Sequence, residues 1–108
     1  MEINDERVAK AVEYLTATDE PAAEAKANVE WMKEKQKTVK STLMMHLEGA
    51  ITHRQMEAES MQEYIDVCRE VRDAVKEYEL LRNRRKSAEL IFEQWRTISA
   101  NRRKGTVM

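Results

Sequence analysis

Between Pro21 and Gly105 this chain carries one helix-breaking residue, Gly49; the whole 108-residue sequence has one proline and two glycines. Sheets and strings of tight turns draw on such residues, because glycine supplies positive φ and proline pre-sets a turn. Runs that alternate apolar and polar residues, the mark of a half-buried strand, are also missing. What is left is long helix on either side of a single punctuation mark. The predicted fold is all-α: a long antiparallel helical hairpin of coiled-coil type with a short N-terminal helix, one domain over residues 1–108.

Charged residues make up 36% of the chain and aromatics 6%, so the expected core is a narrow stripe between helices. This balance is typical of long helices and coiled coils. No apolar run approaches the ~20 residues that span a bilayer, and no basic-then-apolar start suggests an export signal. A single cysteine excludes an internal disulfide; with seven methionines it fits a reducing cytoplasm.

Asn4 is placed to cap a first helix, with Asp5 and Glu6 in the turn where the helix dipole favours acids. Ile3 and Val8 are spaced for a hydrophobic staple. Val8, Val12 and Leu15 mark an apolar face, and the pattern predicts a helix over about 5–16. Thr18 or Asp19 then caps a second start, with Pro21 in a first turn where its missing N–H has no partner to lose. A second helix is predicted over about 20–48, with its seam at Ala22, Ala25, Val29, Met32, Gln36, Val39, Leu43, His46 and Ala50. The alternating spacing of three and four is that of a left-handed helix pair. Gly49 supplies the left-handed ending. Thr52 and Gln55 fit a capping box, stapled by Ile51 and Met56, and open a third helix over about 53–101. Its seam reads Met61, Tyr64, Cys68, Val71, Val75 and Tyr78, then, after a one-residue slip, Leu81, Arg85, Ala88, Phe92, Trp95 and Ile98. The tail 105–108 is expected to fray.

At ~1.5 Å per residue the third helix outruns the second, so segment 82–101 overhangs. It is basic: residues 82–104 hold eight cations against Glu89 and Glu93, whereas residues 1–30 hold eight acids against Arg7, Lys10 and Lys26. The acidic first helix is expected to pack on this overhang, with Val8, Val12 and Leu15 near Leu81, Ala88 and Phe92. A second apolar strip, Trp31, Thr38 and Met45, lies off the seam and suggests that the hairpin pairs into a four-helix bundle homodimer.

Few residues suggest chemistry. His46 and His53 are separated by Gly49, and neither has a glutamate three residues earlier as carboxylate-bridged di-iron bundles require, so no metal and no cofactor is expected. Cys68 on an apolar seam reads as a small hydrophobe rather than a nucleophile. No Gly-rich phosphate loop or nucleophile–base pattern is present, so no catalytic residues are expected. The basic stretch is the main functional signal. Arg82, Arg85, Lys86, Arg96, Arg102 and Arg103 suit phosphate, and Phe92 and Trp95 are aromatics near enough to stack on unpaired bases. Lys26, Lys33, Lys37 and Lys40 form a second positive stripe. Pairing of these cations with the acidic first helix remains the competing reading.

The run Leu80-Leu81-Arg82-Asn83-Arg84-Arg85-Lys86-Ser87-Ala88-Glu89, followed by Trp95-Arg96-Thr97 and Asn101-Arg102, resembles the C-terminal part of small all-helical accessory proteins of tailed phages and prophages. The spacing around Ala58, Tyr64 and Val71 is similar to theirs. The resemblance covers residues 20–103 and implies a non-enzymatic role beside phage recombination or single-strand-binding proteins. It brings no catalytic residues with it. The expectation is helix-mediated protein interaction, with single-stranded DNA as a further ligand. The alternative is a structural adaptor or chaperone-like hairpin without nucleic-acid contact, using Trp31, Thr38 and Met45.

Overall fold

A computed structural model describes residues 4–107. The chain forms three helices, α1 (Asp5–Met45), α2 (Ile51–Glu59) and α3 (Gln62–Val107), with no strand among the described residues. The all-α expectation holds. No helix among the described residues is long and apolar enough to cross a membrane. Two compact units divide the chain: one joins α1 up to Ala23 with α3 from Leu80 onward, and the other comprises Glu24–Glu79.

The predicted break between helices 5–16 and 20–48 does not occur; α1 runs through it with Pro21 in its interior. An interior proline costs a helix about 3 kcal/mol, through a lost hydrogen bond and a clash with the preceding turn. The seam explains why that cost is met. Val8, Ala11, Leu15, Thr18, Ala22, Ala25 and Val29 are all buried or half-buried, and their spacing alternates between three and four across the proline. A new start at Pro21 would shift this register. Pro21 itself is exposed. Neither Thr18 nor Asp19 caps a new start: the Thr18 hydroxyl donates back to the Tyr14 carbonyl at 2.7 Å, and both residues lie inside α1.

At the helix start the prediction is met, since the Asn4 side-chain oxygen accepts from the Arg7 N–H at 2.8 Å. The Ile3 half of the proposed staple lies outside the described residues.

In the Glu24–Glu79 unit the two arms run antiparallel. Lys35 pairs with Glu70 at 2.9 Å, the Gln36 amide donates to Cys68 Sγ at 3.1 Å, and Lys40 pairs with Glu59 at 2.6 Å. The Glu59 hydrogen bond holds the Lys40 ammonium above its ordinary pKa. Burial pushes the Tyr64 phenol up, and its hydrogen bond with Cys68 adds to the effect. The positive stripe expected here is interleaved with acids, as Lys37 also pairs with Glu34 at 3.3 Å.

α1 stops at Met45, short of residue 48, and its end tightens through i→i+3 bonds from His46 to Leu43 and from Leu47 to Met44. It has no basic residue in its last turn, and Arg54 supplies one from α2, its guanidinium 3.5 Å from the Met44 carbonyl. Gly49 turns the chain at φ +110° as expected. The predicted capping box is displaced: α2 begins at Ile51 after Ala50, which offers no side-chain cap, so Thr52 already lies inside the first turn. The staple pair Ile51 and Met56 is largely exposed.

The expected third helix is interrupted. Ser60 and Met61 bond to Glu57 and Ala58 in i→i+3 fashion, and the Ser60 hydroxyl donates to the Glu57 carbonyl at 2.6 Å. This back-bonding tightens the turn. The ladder restarts from the Met61 carbonyl, which accepts from Tyr64 and Ile65. Beyond the break, Val67 and Ala74, 2% and 6% exposed, are buried positions of the α3 seam, with the predicted Cys68 and Val75 half-buried beside them. With Val67 and Ala74 the spacing alternates between three and four from Tyr64 to Ser99, and no slip is needed. Ile98 is exposed, and α3 continues past residue 101 and through Gly105 to Val107. Of the tail expected to fray, only Met108 lies outside the described residues.

Candidate nucleic-acid interface

The acidic start of α1 packs on the basic part of α3, as the charge pattern predicted, and here too the pair is antiparallel. Trp95 Nε1 donates to Asp5 Oδ1 at 3.0 Å. Arg85 Nη1 donates to the Leu15 carbonyl (2.8 Å) and Thr18 Oγ1 (2.7 Å), and Nη2 lies 3.4 Å from Asp19 Oδ1. Val8, Ala11 and Ala88 are buried, whereas Val12, expected in this face, is 42% exposed. Segment 82–95 is therefore covered as expected by the start of the chain, but by the same uninterrupted α1 and not by a separate helix. Only the stretch of α3 beyond the level of Asp5 extends past the described part of α1.

This packing sorts the six predicted cations. The Arg85 side chain is 18% exposed and its guanidinium is occupied within the fold, so it belongs to the seam. At about 100° per residue, Arg82, Lys86, Arg96 and Arg103 share roughly one third of the helix circumference, but Glu89 and Glu93 lie among them. Arg102 projects about 100° away from Arg103. Arg82, Lys86, Arg96, Arg102 and Arg103 are exposed. No acid follows Glu93, so positive charge becomes continuous only at Arg96, Arg102, Arg103 and Lys104.

A recess of about 520 Å³ lies at this end, bounded by Glu93, Trp95, Arg96, Thr97, Ser99 and Arg103. It unites two predicted cations with two hydroxyls and an indole. Arg96 pairs with Glu93 at 3.3 Å and lies 5.9 Å from the Phe92 ring centroid. Phe92 and Trp95 are stacked at 6.2 Å, so the indole is braced by Phe92 and by the bond to Asp5. Stacking on a base is thereby confined to what those contacts leave open.

The unit containing this recess holds ten cations against eight acids, and the Glu24–Glu79 unit nine against twelve. The predicted interface strip lies in the second unit: Trp31 is 67% exposed, Met45 81%, and Thr38 is exposed. His53 Nε2 lies 3.5 Å from Glu57 Oε2, and among the described residues no three His, Cys, Asp or Glu side chains gather as metal ligands would. A second groove, which the residue pattern did not single out, lies between Arg7, Lys10 and Tyr14 of α1 and Arg84, Ser87 and Ile91 of α3. Its signal was Arg7 and Lys10, three residues apart beside the α1 seam, together with Arg84 beside the α3 seam. No protein-family model, curated protein or solved structure matches this chain.

Proposed function

We propose that this is a non-enzymatic helical accessory protein of phage type, acting in recombination or replication by holding single-stranded DNA and a protein partner. The DNA contact is assigned to the end of α3, through Arg96, Arg102 and Arg103 with Lys104. The observation that carries this reading is the recess where Arg96 and Arg103 come together with Thr97, Ser99 and Trp95; Glu93, paired with Arg96, is the acid in its described lining, and no acid follows it in the sequence. Guanidinium donors suit phosphate oxygens, and the Ser99 hydroxyl lies beside them, whereas the Thr97 hydroxyl already donates to the Glu93 carbonyl at 3.1 Å. The phage context rests on the resemblance of residues 20–103.

Anisotropy of a labelled oligothymidylate tests it. Binding is expected at ~50 mM salt and falls steeply as salt rises, with a log–log slope of about −3 for four phosphate contacts. Removing Arg96, Arg102 or Arg103 singly lowers that slope by about 0.7 each, whereas Arg82→Ala leaves it in place. Absence of binding at ~50 mM salt refutes the reading.

The exposed Trp31, Thr38 and Met45 support a second element, docking of another helix, with a homodimer as the first candidate. Light scattering on Trp31→Glu separates the cases. A dimer that becomes a monomer assigns the strip to self-association; an unchanged dimer that loses its partner assigns it to an adaptor surface.

A further inference from the structure

The groove on the other flank of the α1–α3 seam has a chemistry distinct from the basic end of α3. Its floor is apolar: Ala11 and Ala88, each 6% exposed, lie at the bottom, with half-buried Tyr14 and Ile91 as walls. Its rim is cationic, with Arg7 and Lys10 contributed by α1 and Arg84 by α3. At this rim Lys10 pairs with Glu6 at 3.3 Å, and both of those side chains are more than 70% exposed. Such a surface pair is easily exchanged for another carboxylate. Small residues at positions 11 and 88 leave the recess, because their methyl groups do not fill the space that longer side chains would occupy.

An apolar floor does not name its occupant, but the rim names the charge. The ligand that satisfies both is anionic with a bulky apolar group. A nucleic acid fits poorly: the floor offers two alanine methyls and one phenol for stacking, and the cations bracket a single spot instead of tracking a backbone. The volume, about 400 Å³, is at the small end of ligand clefts and suits a few residues of extended or helical peptide. We propose that this groove captures a short acidic peptide segment of a partner protein. One bulky apolar side chain sits on Ala11, Tyr14, Ala88 and Ile91, and its flanking carboxylates are held by Arg7, Lys10 and Arg84. This site shares no residue with the DNA contact assigned above.

A labelled peptide of alternating aspartate and leucine tests the groove, beside one with serine for leucine, one with asparagine for aspartate, and an oligothymidylate. The aspartate–leucine peptide is expected to bind, and both altered peptides bind more weakly by about tenfold or more, as loss of either the charged or the apolar half requires. Arg84→Glu and Ser87→Phe, both at exposed positions, weaken it by a similar factor, with circular dichroism melts unchanged. Arg103→Ala leaves peptide binding intact while lowering oligothymidylate binding, so failure of one site is distinguishable from failure of the other. Equal binding of the serine and leucine peptides overturns the proposal. So does an oligothymidylate that displaces the peptide and is itself lost in Ser87→Phe.

Discussion

Replacing Arg85 by methionine, alanine and lysine, with Asp19→Asn alongside, separates the forces that hold the first part of α1 to α3. Two short bonds from the guanidinium, to the Leu15 carbonyl (2.8 Å) and Thr18 Oγ1 (2.7 Å), are charge-assisted, a class worth about 1.5–3 kcal/mol each. Neither acceptor is orphaned when the arginine goes. Leu15 lies within α1, where its carbonyl also serves the helix, and the Thr18 hydroxyl donates to Tyr14. Methionine keeps most of the apolar stem and removes the desolvation penalty of the cation, so Arg85→Met should cost only about 1–2 kcal/mol. Alanine also strips the stem, at about 0.8 kcal/mol per buried methylene, which brings Arg85→Ala to about 3–4 kcal/mol. Lysine retains charge but loses the fork that reaches two acceptors, and should resemble methionine. The Asp19 carboxylate is 85% exposed and 3.4 Å away, so Asp19→Asn should cost less than about 0.5 kcal/mol. Urea unfolding followed by Trp95 emission in a Trp31→Phe background reads the unit that contains Arg85. The reasoning is refuted if Asp19→Asn costs as much as Arg85→Met, or if high salt erases the effect of Arg85, because an exposed ion pair would then be the main contact.

Three further outcomes are expected. Gly49→Ala places a Cβ 3.3 Å from the His53 ring at φ +110° and should destabilise by about 1–3 kcal/mol; an unchanged melting temperature means that the connection relaxes at no cost. Val67→Ala should cost about 2 kcal/mol and Val75→Ala about half that, and the reverse order in urea midpoints would return the seam to Cys68 and Val75. Lys40 and Tyr64 both have folded pKa values above their unfolded ones. The stability they contribute is complete below about pH 10 and is lost as pH rises through the folded values. Glu59→Gln should shrink the alkaline loss measured by urea midpoints between about pH 8 and pH 11, leaving a part that tracks tyrosinate absorbance.

Several features were legible from residue types alone because their causes are local. The scarcity of breakers dictated helix, Asn4 with Asp5 and Glu6 marked the first cap, and Gly49 marked the positive-φ turn. The opposite charges of the two ends foretold that the start of α1 would lie against the basic part of α3. The break at Ser60 also had a local signal, Ser60 and Glu63 in capping-box spacing, which the long apolar pattern around it masked.

Tertiary packing decided the rest. Pro21 reads locally as a helix start, and it became interior because the seam is buried in one register on both sides of it. Ala74 is smaller than its neighbour Val75, and Val67 and Cys68 are both apolar enough to fill a seam, so only packing selects between adjacent positions that differ by one step around the helix. Arg85 and Arg103 are the same residue type in the same basic segment. One is consumed by Leu15 and Thr18 and the other lines an open recess, because α1 reaches the first and ends before the second. Composition and spacing determine that this chain is helical and where its charge lies; burial against a partner helix determines which of those charges are left to meet anything else.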